Sequence, residues 1–232
     1  MIRYLDHEFF ALRFHNPKSA HFSMSMILDI HTHHAPPQPE ALISVAPSEF
    51  KPVEGQLYSV GIHPWDTVTP MESKELELLE SVAAHPQVAA IGETGIDMLK
   101  GGPLFKQMQL FKFHIELSEK LKKPLVIHDV RAHDVILGLK RDLKPRMIWA
   151  IHGFRAKPSV AKMFTDVGML LSFGEKFNSE SLKSVPEEML LAETDESPLN
   201  IKEIIASLSD VRGEDLTQTI ERNAARFLNR EE

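Results

Sequence analysis

The chain has 232 residues, of which 43% are hydrophobic and 25% are charged, and its formal net charge is −7. This composition excludes a disordered chain, because it supplies enough apolar material for a full core. The absence of cysteine excludes disulfide scaffolds and thiol chemistry and favours a cytoplasmic protein. The negative charge excludes a broad basic surface for nucleic acid. No apolar run approaches the roughly 18 residues of a membrane-spanning helix, so we expect no membrane contact.

Two parts of the chain differ in character. Residues 1–25 have mixed polarity and no sustained periodicity, and a strongly apolar strand begins only at Met26. We interpret residues 1–25 as an N-terminal extension, which is either a segment that packs over exposed strands or the product of a mis-called start codon. Residues 26–232 show no linker or repeat, so they are expected to form one domain.

Short, nearly continuous apolar runs alternate with helical patterns from Met26 onward. Such runs are typical of strands that are buried on both faces. The eight predicted strands are Ile27–Ile30, Ala41–Val45, Leu57–Gly61, Val88–Gly92, Pro124–His128, Met147–Ile151, Gly168–Ser172 and Met189–Ala192. The predicted helices are Ser73–Ala84, Leu104–Leu121, His133–Leu143, Ser159–Val167, Ile201–Ser209 and Glu214–Phe227.

This alternation predicts an α/β protein with a TIM-type (β/α)8 barrel, because eight strands in about 207 residues favour a closed barrel over an open sheet. The barrel should be compact, with fewer helices around its first strands. Residues 34–40 contain three prolines that break any helix, and residues 47–56 are also short and contain two.

Ionisable side chains follow several of the predicted strands at the same end. A charged or imidazole group after a buried strand is costly unless it is paired or bound to a metal, and in a barrel these ends meet at one mouth. The set is His31, His33, Glu93, His128, His152 and Asp195. Four imidazoles and two carboxylates exceed the needs of one tetrahedral ion. They suit two divalent ions, with Zn, Mg, Mn, Fe and Ni as candidates.

Several motifs in this chain resemble those of the TatD-type deoxyribonucleases, which are metal-dependent hydrolases of the amidohydrolase-like superfamily. The motifs occur in family order and cover nearly everything from Met26 onward. They are DIHTH (29–33), GIHPW (61–65), AIGETGID (90–97), PLVIH (124–128), HGF (152–154) and AETD (192–195).

The resemblance implies a role for each candidate ligand. His31, His33 and Asp195 resemble the ligands of one metal, His128 and His152 those of a second, and Glu93 the carboxylate that both metals share. The implied reaction is metal-assisted hydrolysis, in which Asp195 and Glu93 are catalytic and Asp195 is the general base.

His63, in GIHPW, is expected to bind substrate, with a structural role as the alternative. Arg131 and Arg155 are candidates for holding a phosphate near the mouth. The chain also departs from the family pattern: Asp129-Val130-Arg131 replaces the usual Ser-Arg-Asp, and the loop after Asp195 is short. These changes affect substrate contacts rather than the predicted ligands.

The leading hypothesis is therefore a two-metal hydrolase that acts on phosphodiesters such as DNA, with no obligate protein partner. One alternative is a hydrolase of an amide, a lactone or a small phosphoester. A second alternative, of another class, is a metal-binding homologue without catalysis.

Overall fold

A computed structural model describes residues 26–69 and 72–230. The predicted extension, residues 1–25, lies outside the described residues. Eight parallel strands form a closed barrel in sequence order, which confirms the predicted fold class. The strands are β1 (Asp29–Thr32), β2 (Ala41–Val45), β3 (Leu57–Val60), β4 (Val88–Asp97), β5 (Leu125–Val130), β6 (Trp149–Ile151), β7 (Leu170–Phe173) and β8 (Leu190–Ala192).

Helices cover the barrel unevenly, as predicted. Between β1 and β3 the described chain forms no α-helix, only a 3-10 turn at Pro47–Glu49, and a second such turn, Pro64–Val68, follows β3. A third, Glu187–Met189, precedes β8. The α-helices are α1 (Ser73–Ala83), α2 (Leu104–Leu121), α3 (His133–Leu143), α4 (Pro158–Thr165), α5 (Ser179–Ser184), α6 (Ile201–Arg212) and α7 (Thr217–Phe227).

Strand β4 is longer than its apolar run predicts, because it continues through Glu93 to Asp97. Two glycines with positive φ permit this extension beside β5. A Cβ atom at Gly92 would lie 2.4 Å from the carbonyl oxygen of Val126, and one at Gly95 would lie 2.1 Å from that of His128. Only glycine allows such a close approach of two backbones, so Glu93 lies inside a paired strand rather than after one.

The lower part of the barrel interior is apolar. Ile30, Leu42, Val126 and other inward-facing side chains form one buried cluster, which also includes Phe227 of α7. The α7 helix is fixed to the last strand by Asn223, whose Nδ2 donates hydrogen bonds to the carbonyl oxygens of Glu187 and Leu190 at 2.7 and 2.8 Å. A larger cluster fills the layer between the strands and the helices.

Some helix ends differ from the prediction. Helix α5 was not predicted, because its sequence is short and polar; it begins where the Asn178 side chain accepts a hydrogen bond from the Ser181 N–H. Helix α6 extends to Arg212 and ends at Gly213, which has a φ of 75°. No helix in residues 26–69 and 72–230 is long and apolar enough to cross a membrane.

Candidate metal centre

The ends of β1 and β8 are joined by backbone hydrogen bonds at the mouth of the barrel. The Asp195 N–H donates to the His31 carbonyl at 2.9 Å, and the His33 N–H donates to the Asp195 carbonyl at 3.1 Å. Asp195 has a φ of 53°, a conformation that is uncommon outside glycine. This arrangement places Asp195 Oδ1 3.8 Å from His31 Nε2 and 3.7 Å from His33 Nε2.

Glu93 lies between the predicted ligands from the other strands. Its Oε1 atom is 2.7 Å from His152 Nε2, 2.8 Å from His128 Nδ1 and 3.1 Å from His63 Nε2. One carboxylate oxygen thus faces the imidazoles from β3, β5 and β6.

The other oxygen of Glu93 faces the β1 pair. Its Oε2 atom is 3.4 Å from Nε2 of both His31 and His33. The two oxygens of one carboxylate therefore point to two separate groups of imidazoles, so that the six predicted ligands and His63 form one cluster.

The donor set fits divalent cations. His31 is fully buried, and neither of its ring nitrogens has a hydrogen-bond partner, which is costly for a polar group unless something binds it. All the donors are nitrogen or oxygen atoms, which suit Zn, Mn, Fe, Ni or Mg. Within the described residues, four sets of three side chains have ligand atoms close enough together to hold a metal ion. They are His31, His33 and Asp195; His31, Glu93 and His152; His63, Glu93 and His128; and His152, Glu193 and Asp195.

Burial and charge act against each other at this cluster. Burial favours the neutral form of Glu93, but His152 and His128 outweigh it and hold the Glu93 pKa well below its usual value. Burial likewise opposes protonation of His152, but Glu93 and Glu193 raise its pKa well above normal. A hydrogen bond to Glu93 raises the pKa of His33. The carboxylates thus create a strongly negative site that protons or metal ions neutralise.

Glu193 supports this cluster, and it was not among the predicted site residues. Its Oε1 accepts a hydrogen bond from the Gly153 N–H at 2.6 Å and lies 3.5 Å from His152 Nδ1. The carboxylate therefore faces the ring nitrogen opposite the one that approaches Glu93. Such a partner fixes the tautomer and orientation of a ligand histidine. The position of Glu193 directly after β8 was the available signal.

Asp97 is the corresponding carboxylate partner of His128. Its Oδ2 accepts hydrogen bonds from Trp65 Nε1 at 2.6 Å and from His128 Nε2 at 3.3 Å. Its Oδ1 accepts from the N–H groups of Leu99 and Lys100. Burial opposes ionisation of Asp97, but these bonds lower its pKa, so the carboxylate is held ionised beside His128.

His63 lies within the cluster, although the sequence suggested only a substrate contact or a structural role. Its Nδ1 accepts a hydrogen bond from the Trp65 N–H at 3.2 Å. The ring proton of neutral His63 is therefore on Nε2, which points at Glu93. In this tautomer His63 donates to Glu93 rather than binding a metal. Its contact with substrate stays a prediction.

Asp29 lies next to the cluster but outside it. Its carboxylate accepts hydrogen bonds from the N–H groups of His31 and Thr194, at 3.1 Å each, and from Thr194 Oγ1 at 2.6 Å. Burial raises its pKa to about 7. Asp29 therefore fixes the ends of β1 and β8 relative to each other, rather than adding a ligand.

Two clefts adjoin the cluster. A cleft of about 760 Å³ is bounded mainly by the ends of β5 to β8, and one of about 320 Å³ by the ends of β1 to β3. Trp65, His128, His152 and Asp195 line both clefts. The cluster is thus accessible from two directions.

A parallel eight-stranded barrel with a buried histidine and carboxylate cluster at its mouth defines a candidate metal-dependent barrel protein. The family model described as TatD related DNase matches residues 49–229. The chain belongs to this family.

Individual relatives agree with this assignment. The chain is 35% identical over 153 residues to an uncharacterized metal-dependent hydrolase, TatD, of Mycobacterium tuberculosis, which covers 59% of this chain and 56% of the relative. It is 29% identical over 199 residues to the Escherichia coli protein YcfH, an uncharacterized metal-dependent hydrolase, covering 75% of this chain and 74% of the relative. The match to the M. tuberculosis relative thus spans little more than half of that protein's length.

Solved structures show the same fold. The crystal structure of YjjV, a TatD homologue from E. coli, superposes with a TM-score of 0.73 at 22% identity, covering 88% of this chain and 98% of that one. A TatD-family hydrolase from Entamoeba histolytica gives a TM-score of 0.66 at 16% identity, covering 75% of each chain.

Proposed function

We propose that this chain is a metal-dependent hydrolase of phosphodiesters, with DNA as the leading substrate class. The observation that carries the proposal is the placement of Glu93, whose two carboxylate oxygens face different groups of imidazoles. This is the arrangement expected of a carboxylate shared by two ions. The names of the TatD relatives support the reaction class, and the family description supports a nucleic-acid substrate.

The proposed ligands divide into two sets joined by Glu93. His31, His33 and Asp195 would hold one ion, and His128 and His152 would hold the other. Divalent ions bound there would lower the pKa of a water molecule and would offset negative charge on a phosphodiester. They would also supply local positive charge in a chain whose net charge is −7.

Asp195 is the proposed general base. Its side chain is 44% exposed and lines both clefts, whereas the Glu93 side chain is only 8% exposed. Asp195 can therefore accept a proton at its carboxylate from a water in either cleft. Glu93 is buried among imidazoles, so its proposed role is that of the carboxylate shared by the two ligand sets rather than that of the base.

A substrate and metal screen tests the function. Purified protein, loaded in turn with Zn, Mn, Mg, Fe and Ni, is assayed on single-stranded DNA, bis-p-nitrophenyl phosphate, amides and lactones. Hydrolysis of the phosphodiesters, with about two ions per chain by elemental analysis, is the expected result. Turnover of amides or lactones alone would assign another substrate class, and no turnover with any metal would favour a non-catalytic metal-binding protein.

The variant Asp195→Asn tests the proposed base. It should lose nearly all turnover while keeping the thermal unfolding transition of the unchanged protein. Full activity in this variant would exclude Asp195 as the base.

A further inference from the structure

The two clefts beside the metal cluster differ in charge. The larger cleft is lined by the cationic side chains Lys100, Arg131, Arg155 and Lys176. The smaller cleft is lined by five acidic side chains, Glu49, Asp66, Glu93, Asp195 and Glu196, and by no lysine or arginine. Lysine and arginine side chains that can contact a polyanion therefore line one of the two clefts only.

The cations of the larger cleft are available to a ligand. Within residues 26–69 and 72–230, none of the four lies within 4.0 Å of a carboxylate oxygen in an ion pair. Lys100 instead lies over the Trp65 ring, 3.9 Å from its centroid. Arg131, Arg155 and Lys176 are exposed to solvent.

Most acidic groups of the same cleft already have partners. Asp97 and Glu193 face histidines of the cluster, and Asp129 pairs with His133 Nδ1 and accepts from the Ala132 N–H at 3.0 Å. The hydrogen bond that His133 donates to Asp129 raises the pKa of His133, which favours a positive charge beside this carboxylate. Glu175 accepts a hydrogen bond from Ser197, and Asp195 and Glu196 line both clefts.

The backbone also holds Arg131 at the cleft. Arg131 has a φ of 55°, and the two side-chain bonds of Asp129 close this turn immediately before α3. The turn occupies the point at which this chain departs from the usual family pattern. Arg131 therefore lines the cleft from a constrained loop, and Arg155, in the loop after β6, lines the same cleft.

We propose that Arg131, Arg155 and Lys176 form a second anion-binding subsite, which holds a phosphate group of the substrate other than the one hydrolysed. The subsite rests on the proposed function in that its ligand is a further phosphate of the same substrate. Guanidinium groups suit this ligand because they form paired hydrogen bonds with phosphate oxygens. The smaller cleft then receives the part of the substrate that carries no further charge.

A binding experiment tests the subsite without relying on turnover. The full chain is titrated into a fluorescently labelled tetrathymidylate in EDTA, and the Kd is measured by anisotropy at low and high salt. Arg131→Gln and Arg155→Gln should each weaken binding about ten-fold, as expected for the loss of a charge-assisted contact, and should reduce its salt dependence. Arg141→Gln is the matched control, because Arg141 is an exposed arginine in the last turn of α3, the helix that follows Arg131, and it does not line the cleft.

Each outcome decides one point. No binding by the unchanged protein, or equal binding by all three variants, overturns the subsite. Competition by a nucleoside bisphosphate as strong as that of unlabelled tetrathymidylate supports the subsite but assigns it to small phosphoesters. Hydrolysis of bis-p-nitrophenyl phosphate is measured separately, so its absence would count against the proposed function and leave the binding result to decide the subsite.

Discussion

The two sides of the barrel reach the same cluster from different surroundings. Strands β1 to β3 are joined by short segments without α-helix and border the smaller, acidic cleft. Strands β5 to β8 are mostly joined through α-helices and border the larger cleft, which contains lysine and arginine side chains. Both sides nevertheless place imidazoles around Glu93. The positions of the candidate ligands therefore depend on the strand ends, whereas the charge and size of the clefts depend on the loops.

The largest predicted effect comes from removing the carboxylate that joins the two sides. Glu93→Gln keeps the shape of the side chain but removes the charge that faces both groups of imidazoles. Supporting residues of metal ligands typically contribute about 10–100-fold, so the loss of Glu93 should lower kcat/KM by more than about 100-fold and reduce the bound metal. Steady-state kinetics and elemental analysis measure both effects.

Glu116→Gln, an exposed substitution on α2, is the control for this change. Unchanged metal content in Glu93→Gln would contradict the idea that one carboxylate serves both ligand sets.

The helix-poor side is supported from behind by His114. This fully buried histidine of α2 accepts a hydrogen bond from the Ile62 N–H at 3.0 Å, and its Nδ1 donates to the Leu110 carbonyl at 2.8 Å. Burial lowers its pKa from 6.5 to about 4. The folded protein thus binds fewer protons than the unfolded chain between these pH values. The contribution of neutral His114 to the free energy of unfolding is therefore fully present above pH 6.5. This contribution falls by about 3 kcal/mol in total as the pH drops from 6.5 through 4.

His114→Gln removes this titration. The free energy of unfolding is measured with denaturant in EDTA, and each protein is compared with its own value at pH 8. This free energy should decline less steeply towards pH 4 in the variant than in the unchanged protein. Parallel curves for the two proteins would show that His114 does not contribute to the pH dependence.

The helix-rich side depends on Glu193, which faces the Nδ1 atom of His152. Glu193→Gln should lower metal affinity or kcat/KM by about 10–100-fold, because a ligand histidine loses its orienting carboxylate. Metal titration followed by calorimetry measures the first quantity. Glu175→Gln removes a carboxylate that bonds Ser197 in the same cleft, and it should leave metal affinity unchanged. Equal affinity in both variants would reduce Glu193 to a structural role.

The sequence predicts the fold and the proximity of the ligands better than it predicts their supports. Ionisable residues after buried strands identify the ligand candidates, because strand ends in a barrel converge. The length of β4 could not be predicted, since it depends on contacts that Gly92 and Gly95 permit with a strand some 30 residues away. Asp195 was among the predicted ligands, but the chain order could not predict which imidazoles Asp195 and Glu193 would each face. Only the paired ends of β1 and β8 show that Asp195 faces His31 and His33 while Glu193 faces His152.

The smallest effect is expected at the boundary between the clefts. Trp65 borders both, and its indole N–H donates to Asp97, which in turn contacts His128. Trp65→Phe keeps an aromatic ring but removes one hydrogen bond, typically about 1 kcal/mol. Since Asp97 keeps its bonds from Leu99 and Lys100, kcat/KM for bis-p-nitrophenyl phosphate should fall about five-fold in steady-state assays. Asp97→Asn, which removes the charge beside His128, should cost more than Trp65→Phe. The reverse order would mean that Trp65 acts through the shape of the clefts rather than through Asp97.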